Sequence, residues 1–471
     1  MPGSNSNKYS HFFPGLAGPT VRILLYTDDP VTVRDDVIAN WSLGVMLKHF
    51  KAHTPAFASF YFELVCRNSS ASFHADQKLD DLLLNGDFDQ VWFFGVHQGN
   101  VDNQTGVFLQ GGPQSELTPN EIAVLTKWME IGADSGQRGG GVLMAGDHAE
   151  ELPENALLSG PAPASGLWGI GRALGQAVPR AGRMRHWDGP PRTGTGNQNT
   201  IVSTDGNFER PLFQYDDIPQ QLNLVPFDQG QPHPLFFYTS GTFIEVFPDH
   251  MHEGAIRTPT AHDLANLQEW PKAIEPQVVA RGMDKSKGAP VPVDLVSAYD
   301  GDQAGVGRIV ADSSWHHYFN INLNLFVPPG AVGSNSHRIG QFFANLTLWL
   351  TPLEKRRQMA QAMIDWLAIP RTPLEEIALA GLHPQSMIGL APELGEKAYE
   401  VLAQVASPCE IHELFKLLPE PENTMANIEA SASAQPLTSR SLLSSLVKQH
   451  YTELTEGNNS EAFSEFELTT K

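Results

Sequence analysis

The sequence predicts an α/β protein with a mostly parallel central sheet, a long central insertion and a helical extension near its C-terminal end. Short runs of consecutive apolar residues alternate with amphipathic helical patterns over much of the chain. Strands that helices cover on both faces are apolar throughout, and helices of this length connect parallel strands. The composition, with 41% hydrophobic and 18% charged residues, is typical of a globular protein rather than a disordered one.

The first third of the chain contains four predicted strands and the helices that connect them. The helical patterns lie at 35–50, 77–84 and 118–133, and the last begins with Thr118 and Glu121 at the spacing of a capping box. This order is that of consecutive βαβ units in a parallel sheet. The strand patterns are VRILLYT at 21–27, SFYFELVC at 59–66, QVWFFGV at 90–96 and GVLMAG at 141–146.

A single α/β domain is predicted for residues 20–370, interrupted at 150–234 by an insertion or lid rich in Gly, Pro, Arg, Asn and Gln. Around it we expect a flexible N-terminus at 1–19, a small helical module at 371–420 and a largely disordered tail with one helix at 421–471. The later strand patterns are PLFFYTS at 234–240, FIEVFP at 243–248, PQVVARGM at 276–283, PVDLVSAY at 292–299 and GRIVADSSW at 307–315. They precede helical patterns at 336–350 and 354–368.

Charge and cysteine content exclude several classes of protein. With 31 basic and 53 acidic residues the net charge is −22, which argues against a nucleic-acid partner because phosphate binding needs a basic surface. Only Cys66 and Cys409 occur, so neither a disulfide framework nor a multi-cysteine metal site is expected. The sequence shows neither a signal-peptide pattern nor an apolar run of 18 residues, so we expect a cytoplasmic protein without a membrane partner.

The run GGGVLMAGDHAEEL at 139–152 ends an apolar strand in two ionisable residues, Asp147 and His148. Open α/β sheets place their binding crevice at the carboxyl ends of the strands. An aspartate beside a histidine can orient the imidazole or ligate a metal, which makes both residues catalytic candidates. The alternative is that Asp147 caps a following helix and His148 is exposed.

A possible metal site lies in the segment FPDHMHEGAI at 247–256. His250 and His252 point the same way on an extended chain, whereas Asp249 and Glu253 have the opposite parity. A carboxylate joins the two histidines only if the loop turns between them. Two histidines and a carboxylate would suit Zn²⁺ or Fe²⁺, and a hydrogen-bonded loop beside the site is the alternative.

The run GRIVADSSWHH at 307–317 brings a third group of polar residues to a strand end. Asp312, His316 and His317 are candidates for acid–base catalysis. Adjacent histidines lie on opposite faces of an extended segment, so at most one of the pair is expected to enter the site. The alternative is a buried structural histidine packed by Trp315.

Four further residues are candidates for substrate binding. His97 follows the strand at 90–96, and Asp28 and Asp29 follow the strand at 21–27. Turn formation is the alternative role for these three. Arg185 belongs to a local cluster of arginines that could hold an anion or could simply be solvated.

These clusters and their order resemble the class I glutamine amidotransferase-like superfamily, and within it the ThuA-like branch, named for trehalose utilisation. The resemblance rests on VRILLYT, GGGVLMAG, HPLFFYTSG at 233–241 and GRIVADSSWHH, and it covers about 21–368 without the insertion. It implies a flavodoxin-like three-layer sandwich and a site for a carbohydrate-like or other small polar molecule. His316 or His317 falls near the position of the family's histidine.

In true amidotransferases the strand that corresponds to GVLMAG ends in a cysteine nucleophile. Here Asp147 lies near that position, and neither Cys66 nor Cys409 does, so glutaminase chemistry by a thiolate is not expected.

Two functions are compatible with these patterns. The first is a small-molecule hydrolase or other acid–base enzyme in which Asp147 and His148 face His316 or His317 across the crevice. One histidine would act as general base and Asp147 or Asp249 would orient it, with a metal-bound water as a variant. The second is a catalytically inactive ligand-binding or scaffold protein that recruits a protein partner through the C-terminal extension.

Overall fold

The centre of the fold, in a computed structural model of the chain, is a nine-stranded mixed β sheet. Strands in the described part of the chain are β1 Tyr9–Phe13, β2 Thr20–Thr27, β3 Ser59–Cys66, β4 Gln90–Phe94, β5 Gly141–Ala145, β6 Arg185–Trp187, β7 Gln220–Gln221, β8 Asn223–Leu224, β9 Val246–Phe247, β10 Ala255–Arg257, β11 Gln277–Asp284, β12 Val291–Tyr299 and β13 Ile309–Asp312. The large sheet has the order β1-β3-β2-β4-β5-β13-β12-β11-β8, and β6 with β10 and β7 with β9 form separate two-stranded pairs.

The middle of the sheet is parallel and its two sides are antiparallel. Strands β3, β2, β4, β5 and β13 run in the same direction. At one side β1 pairs antiparallel with β3, and at the other β12, β11 and β8 follow β13 as antiparallel strands. The predicted α/β class with a mostly parallel centre is therefore confirmed.

The structure describes residues in several separate ranges and two compact units. One unit extends to Arg356 and the other begins at Arg357. In the second unit, residues 357–368 and 398–417 are described, and the latter range contains a helix at Pro408–Phe415. The described ranges are 9–27, 31–35, 42–66, 78–94, 118–145, 185–187, 220–227, 230–239, 241–248, 255–257, 276–284, 291–313, 315–323, 334–368 and 398–417.

Helices cover both faces of the sheet. Helix α1 (Gly44–Ala52) packs against α4 (Asn320–Leu323) and α5 (Asn335–Trp349), whereas α2 (Leu79–Asn85) packs against α3 (Pro119–Met129). Helix α6 (Leu353–Ala368) follows α5, and α7 is the helix at Pro408–Phe415. Among the described residues, no helix combines the length and the apolarity needed to cross a bilayer.

Alternate residues of the parallel strands supply two apolar cores, because successive side chains of a strand point to opposite faces. Leu24 and Tyr26 of β2 join α2 and α3 in one core. On the other face, Phe62 and Trp92 join the aromatic residues of α1 and of the chain after β13. This continuous apolar character on both faces is what the sequence pattern predicts for buried parallel strands.

Several predicted helices are confirmed in position, and for α3 the predicted N-terminal capping box is also confirmed. Helix α3 begins with the predicted capping box: the Glu121 backbone N–H donates to Thr118 Oγ1, and the Thr118 backbone N–H donates to Glu121. The helical patterns at 336–350 and 354–368 correspond to α5 and α6. Of the pattern at 35–50, the described residues 35, 42 and 43 are not helical, and the helix begins at Gly44.

Two segments differ from the expectation. The N-terminal segment 1–19, expected to be flexible, contains strand β1, whose Phe13 is buried against Phe50 and Phe62. The segment PLFFYTS, expected to be a strand, instead forms a 3₁₀ helix at Pro234–Phe236. Proline lacks the N–H that a strand ladder needs but suits the first turn of a helix, and His233 Nδ1 accepts a bond from the Leu235 N–H at 3.3 Å.

A buried ion cluster fixes the amino end of β13. Arg308, which precedes β13, lies with its Nε 3.1 Å from Asp300 Oδ1 and 2.8 Å from Asp302 Oδ2, and it donates to the Trp349 carbonyl at the end of α5. Arg356 of α6 also pairs with Asp302. Burial by itself would raise the pKa of Asp300, but the arginines and Gln303 lower it below its usual value.

Replacing Arg356 with Met should destabilise the protein by about 3 kcal/mol, because it leaves the carboxylate of Asp302 with one buried cation instead of two. The free energy of unfolding in urea measures the loss. The matched control is R138M, which breaks the exposed ion pair between Arg138 and Asp87 and should cost less than about 1 kcal/mol. Equal losses in the two variants would contradict a stabilising role for the cluster.

Candidate functional site

The candidate site lies at the carboxyl end of β13, beside the end of β5. The register of these parallel strands pairs Asp312 with Ala145. Residue 147 follows Ala145 by two positions in the sequence. Carboxyl ends of parallel strands at the middle of an open sheet are the usual position of a binding crevice. The end of β13 is therefore where chemistry is expected in this fold.

A fully buried aspartate, histidine and tyrosine are hydrogen-bonded to one another at this point. His317 Nδ1 lies 2.7 Å from Asp312 Oδ1, and the Tyr318 hydroxyl donates to Asp312 Oδ2 at 2.8 Å. All three side chains have essentially no exposed surface. A carboxylate oxygen accepts, so the Nδ1–H of His317 donates to Asp312, and Nε2 lies on the opposite side of the ring.

The hydroxyl of Tyr318 remains protonated over a wide pH range. Burial, together with the negative charge and the hydrogen bond of Asp312, raises the pKa of Tyr318 well above its usual value. A protonated phenol is a hydrogen-bond donor. Both oxygens of Asp312 therefore have a donor, as a buried carboxylate requires.

A tight turn after β13 produces this arrangement. Trp315–His317 form a 3₁₀ helix, and the Tyr318 N–H donates to the Trp315 carbonyl at 3.0 Å. The chain thus folds back and brings residues five and six positions after Asp312 onto its carboxylate. The sequence predicts an extended segment that separates His316 and His317, whereas the helical turn buries both.

His316 has a different environment from His317. Its Nδ1 lies 3.0 Å from Asn322 Oδ1, and its ring stacks on Trp315 with 3.6 Å between the centroids. An amide oxygen only accepts, so Nδ1 of His316 donates. The expected packing of a buried histidine by Trp315 is thus found for His316, while His317 makes the contact with Asp312.

Aromatic side chains surround the Asp312–His317 pair. Phe247 of β9 meets the His317 ring edge to face at 4.8 Å, and it packs on Phe342 of α5. Tyr318 packs against Phe94 at the end of β4 and against Phe343. The pair therefore lies in an apolar environment, where electrostatic interactions are stronger than in water.

The turn after β13 is also tied to the chain that follows β2. Asn320 Nδ2 donates to the Arg34 carbonyl at 2.7 Å, and Asn320 Oδ1 accepts from the Val45 N–H at 2.8 Å. The Asn320 N–H donates to the Ser42 carbonyl, and the Ser42 hydroxyl donates to the Arg34 carbonyl at 2.6 Å. Two of the chain segments at the carboxyl edge of the sheet are thus fixed to each other.

Of the predicted site residues, Asp312 and His317 are brought into direct contact, with His316 next to them. Arg185 is the first residue of β6, opposite Arg257 of β10. Within the described residues, no group of three or more His, Cys, Asp or Glu side chains is arranged to hold a metal ion. Predicted residues that lie outside the described ranges are Asp28, Asp29, His97, Asp147, His148, Asp249, His250, His252 and Glu253.

Three residues of this site were not identified from the sequence: Tyr318, Asn322 and Phe247. The signal for Tyr318 and Asn322 is the run WHHYFNIN at 315–322, in which polar residues persist after the strand. Such a run indicates a functional or structural turn, but the partners become clear only when the turn is known to be helical. Phe247 carries no local signal, because it lies 70 residues before His317 in the sequence.

Comparison with known proteins adds no identification to this geometry. No family model matches the chain, and no match was found among curated proteins or solved structures. The class that fold and site define is therefore an α/β protein with a buried Asp–His–Tyr group at the carboxyl end of a central strand.

Replacing Tyr318 with Phe should lower the free energy of unfolding at pH 7 by about 1–3 kcal/mol, because a buried carboxylate oxygen loses its donor. Urea unfolding measures the loss. The same change at Tyr61, half-buried on β3, is the control and should stay within about 0.5 kcal/mol.

The effect should also depend on pH. Tyrosine in the unfolded chain ionises near pH ~10, and the folded protein resists ionisation of Tyr318. The wild type therefore loses stability as the pH rises above about 10, and Y318F should lose less. Identical alkaline profiles for the wild type and Y318F would contradict the assigned hydrogen bond.

Proposed function

We propose that this chain is a small-molecule hydrolase of the acid–base type, without glutaminase activity, in which Asp312 and His317 form the catalytic pair. The observation that carries the proposal is the 2.7 Å contact between Asp312 Oδ1 and His317 Nδ1 at the carboxyl end of β13. A carboxylate that holds Nδ1–H orients the ring and stabilises the imidazolium that forms when the ring takes up a proton.

The proposed chemistry is general-base activation of water. His317 takes a proton from water through Nε2 while the water oxygen attacks the substrate, and it returns the proton to the leaving group. Asp312 stabilises the positive charge that the ring carries in between, and Tyr318 holds the second oxygen of Asp312. Because His317 is fully buried, turnover requires that the side chains that cover it move to admit water and substrate.

We also propose a flavodoxin-like fold of the class I glutamine amidotransferase-like superfamily, close to its ThuA-like branch. The parallel strands have the spatial order β3-β2-β4-β5-β13, which in chain order is the 2-1-3-4-5 arrangement of flavodoxin-like sheets. Cys66 ends β3 and Cys409 lies in α7. In the sequence neither cysteine directly follows β5, where an amidotransferase carries its nucleophile, which supports a reaction without a thiolate.

The proposed substrate is a small polar molecule, with carbohydrates as the first class to test. Support comes from Ser313, directly after Asp312: its Oγ is buried and has no hydrogen-bond partner within the described residues. Buried hydroxyls without a partner are rare in native proteins, and a polar ligand would supply one. The proposal includes a divalent metal held by His250, His252 and Asp249 or Glu253. It also includes a cytoplasmic location and a protein partner for the C-terminal extension.

One observation favours a second function, that of a catalytically inactive binding or scaffold protein. Asp312, His317 and Tyr318 are fully buried and satisfy one another. Such a group can fix the turn after β13 without taking part in a reaction. In this case the protein binds a ligand or a partner elsewhere and turns over no substrate.

The enzyme proposal predicts that H317Q lowers kcat/KM by at least about 10²-fold on any substrate that the wild type hydrolyses, because the base is lost. A panel of nitrophenyl glycosides and esters provides the assay, and D312N should show a loss of similar order. The matched control is H11Q, which changes a half-buried histidine on β1 and should leave the activity unchanged.

The outcomes separate the two functions. Hydrolysis that is retained in a folded H317Q variant would contradict the catalytic role of the pair. Absence of hydrolysis, combined with a thermal shift of the wild type by sugars or divalent ions, would favour the binding protein.

A further inference from the structure

Three histidines, His49, His53 and His337, come together between the end of α1 and the start of α5. His49 lies in the last turn of α1, and His53 is its C-terminal cap, with its N–H donating to the Phe50 carbonyl. His337 lies in the first turn of α5. None of the three takes part in the Asp312–His317 contact, so this cluster needs a separate explanation.

The rings of this histidine cluster are in close contact. The centroids of His53 and His337 are 4.2 Å apart, with their planes nearly perpendicular. His53 Nδ1 lies 3.2 Å from Gln341 Oε1, and His337 Nδ1 lies 2.8 Å from the Tyr238 hydroxyl. Each of these two rings thus has a polar partner on one side and the other ring nearby.

The helices approach each other closely at the cluster because α5 has a glycine there. A Cβ atom on Gly340 would lie 2.7 Å from His53 Cδ2 and 3.3 Å from His49 Cβ. No side chain can be inserted at this point without moving the histidines. The packing of α1 on α5 therefore depends on the positions of these rings.

The charged groups beside the cluster on α1 and α5 are Lys48 and Arg338, both cationic. Lys48 of α1, itself paired with Asp35 at 3.4 Å, acts on His49. Arg338 of α5 lies over the Tyr238 ring, 5.4 Å from its centroid. Three further elements that contact α1 or α5, namely α4, the 3₁₀ helix at Pro234–Phe236 and β9, contain no titratable residue. Strands β1 and β3 pack on Phe50 of α1 through Phe13, Phe60 and Phe62, and their titratable residues include His11, Tyr61 and Glu63. At the far end of α5, His233 and Arg308 contact Trp349.

Protonation of the cluster is unfavourable in the folded protein. Burial, with Lys48 and His337, lowers the pKa of His49 to about 4. Burial and His337 lower the pKa of His53 to about 4 against the opposing hydrogen bond from Gln341. Burial also lowers the pKa of His337.

We propose that His49, His53 and His337 form an acid-sensitive latch that holds α1 on α5 while the three rings are neutral and releases it when they gain protons. The latch is independent of the proposed function. Metal binding is a different use of histidines, but the described side chains are not arranged for it.

The direction of the pH effect follows from proton linkage. The unfolded or released chain takes up protons near pH ~6.5, whereas the packed cluster resists them down to about pH 4. The contribution of the latch is complete above about pH 6.5 and is lost as the pH falls toward 4. For His49 and His53 alone, the folding equilibrium constant should fall by up to about 10²-fold per pH unit within this window.

The test is urea unfolding of the full chain between pH 7 and 4.5, comparing the wild type with the double variant H53Q/H337Q. We expect the variant to reduce the pH dependence by at least about tenfold per pH unit, because it removes the rings of His53 and His337. The second of these also disfavours protonation of His49. The control H11Q changes a histidine outside the cluster and should retain most of the wild-type dependence. A variant with the same pH dependence as the wild type would overturn the proposal.

Two measurements on the wild type keep the proposal testable if the double variant does not fold. NMR titration of the histidine rings should give midpoints near pH 4 for His49 and His53, and midpoints near ~6.5 would overturn it. Hydrogen exchange at pH 5, corrected for intrinsic rates, should increase in α1 more than in α3. Equal behaviour of the two helices would also overturn the latch.

Discussion

The carboxylate of Asp312 is the group on which the arrangement of the site depends. It lies at the end of a central strand, on the face of the sheet that carries Trp92, Phe94 and the aromatic residues of α5. A charge in such surroundings is tolerated only if it is paired and hydrogen-bonded. His317 and Tyr318 provide one donor for each oxygen, and this requirement fixes the path of the chain after β13.

Opposite ends of β13 are held by different kinds of interaction. At its amino end Arg308 joins the ion cluster with Asp300 and Asp302, and at its carboxyl end Asp312 accepts from two donors, His317 and Tyr318. The turn that follows is tied through Asn320 to the chain after β2. Because the strand is anchored on both sides, the Asp312–His317 geometry is built into the fold rather than formed on binding. Such preorganisation is what general-base chemistry requires.

Much of the central fold could be predicted from the sequence because its strands and helices have strong, regular patterns. The runs of β2, β4 and β5 are apolar without interruption, and the capping box of α3 marks its first turn. The strand β1 and the 3₁₀ helix at Pro234–Phe236 were missed because short segments obtain their structure from tertiary packing. Taken alone, HFF in β1 and PLFF at 234–237 would each be compatible with a strand or with irregular structure.

The site could be predicted only in part, for a related reason. Asp312 and the two histidines are visible in the sequence as polar residues after an apolar strand. Their pairing is not, because it depends on whether the chain continues extended or turns after Asp312. The helical turn places Tyr318 on the carboxylate and separates the environments of His316 and His317, which adjacent positions in a sequence cannot reveal.

The most direct test of this account is the protonation of His317 in the full chain at neutral pH, read from the ¹⁵N chemical shifts of its ring by NMR. We expect a neutral ring with the proton on Nδ1 and an unprotonated Nε2, and we expect D312N to shift this tautomeric equilibrium. A ring protonated at Nε2 with a bare Nδ1 would contradict it, because Asp312 would then hold no donor from His317 and Nε2 could not act as a base.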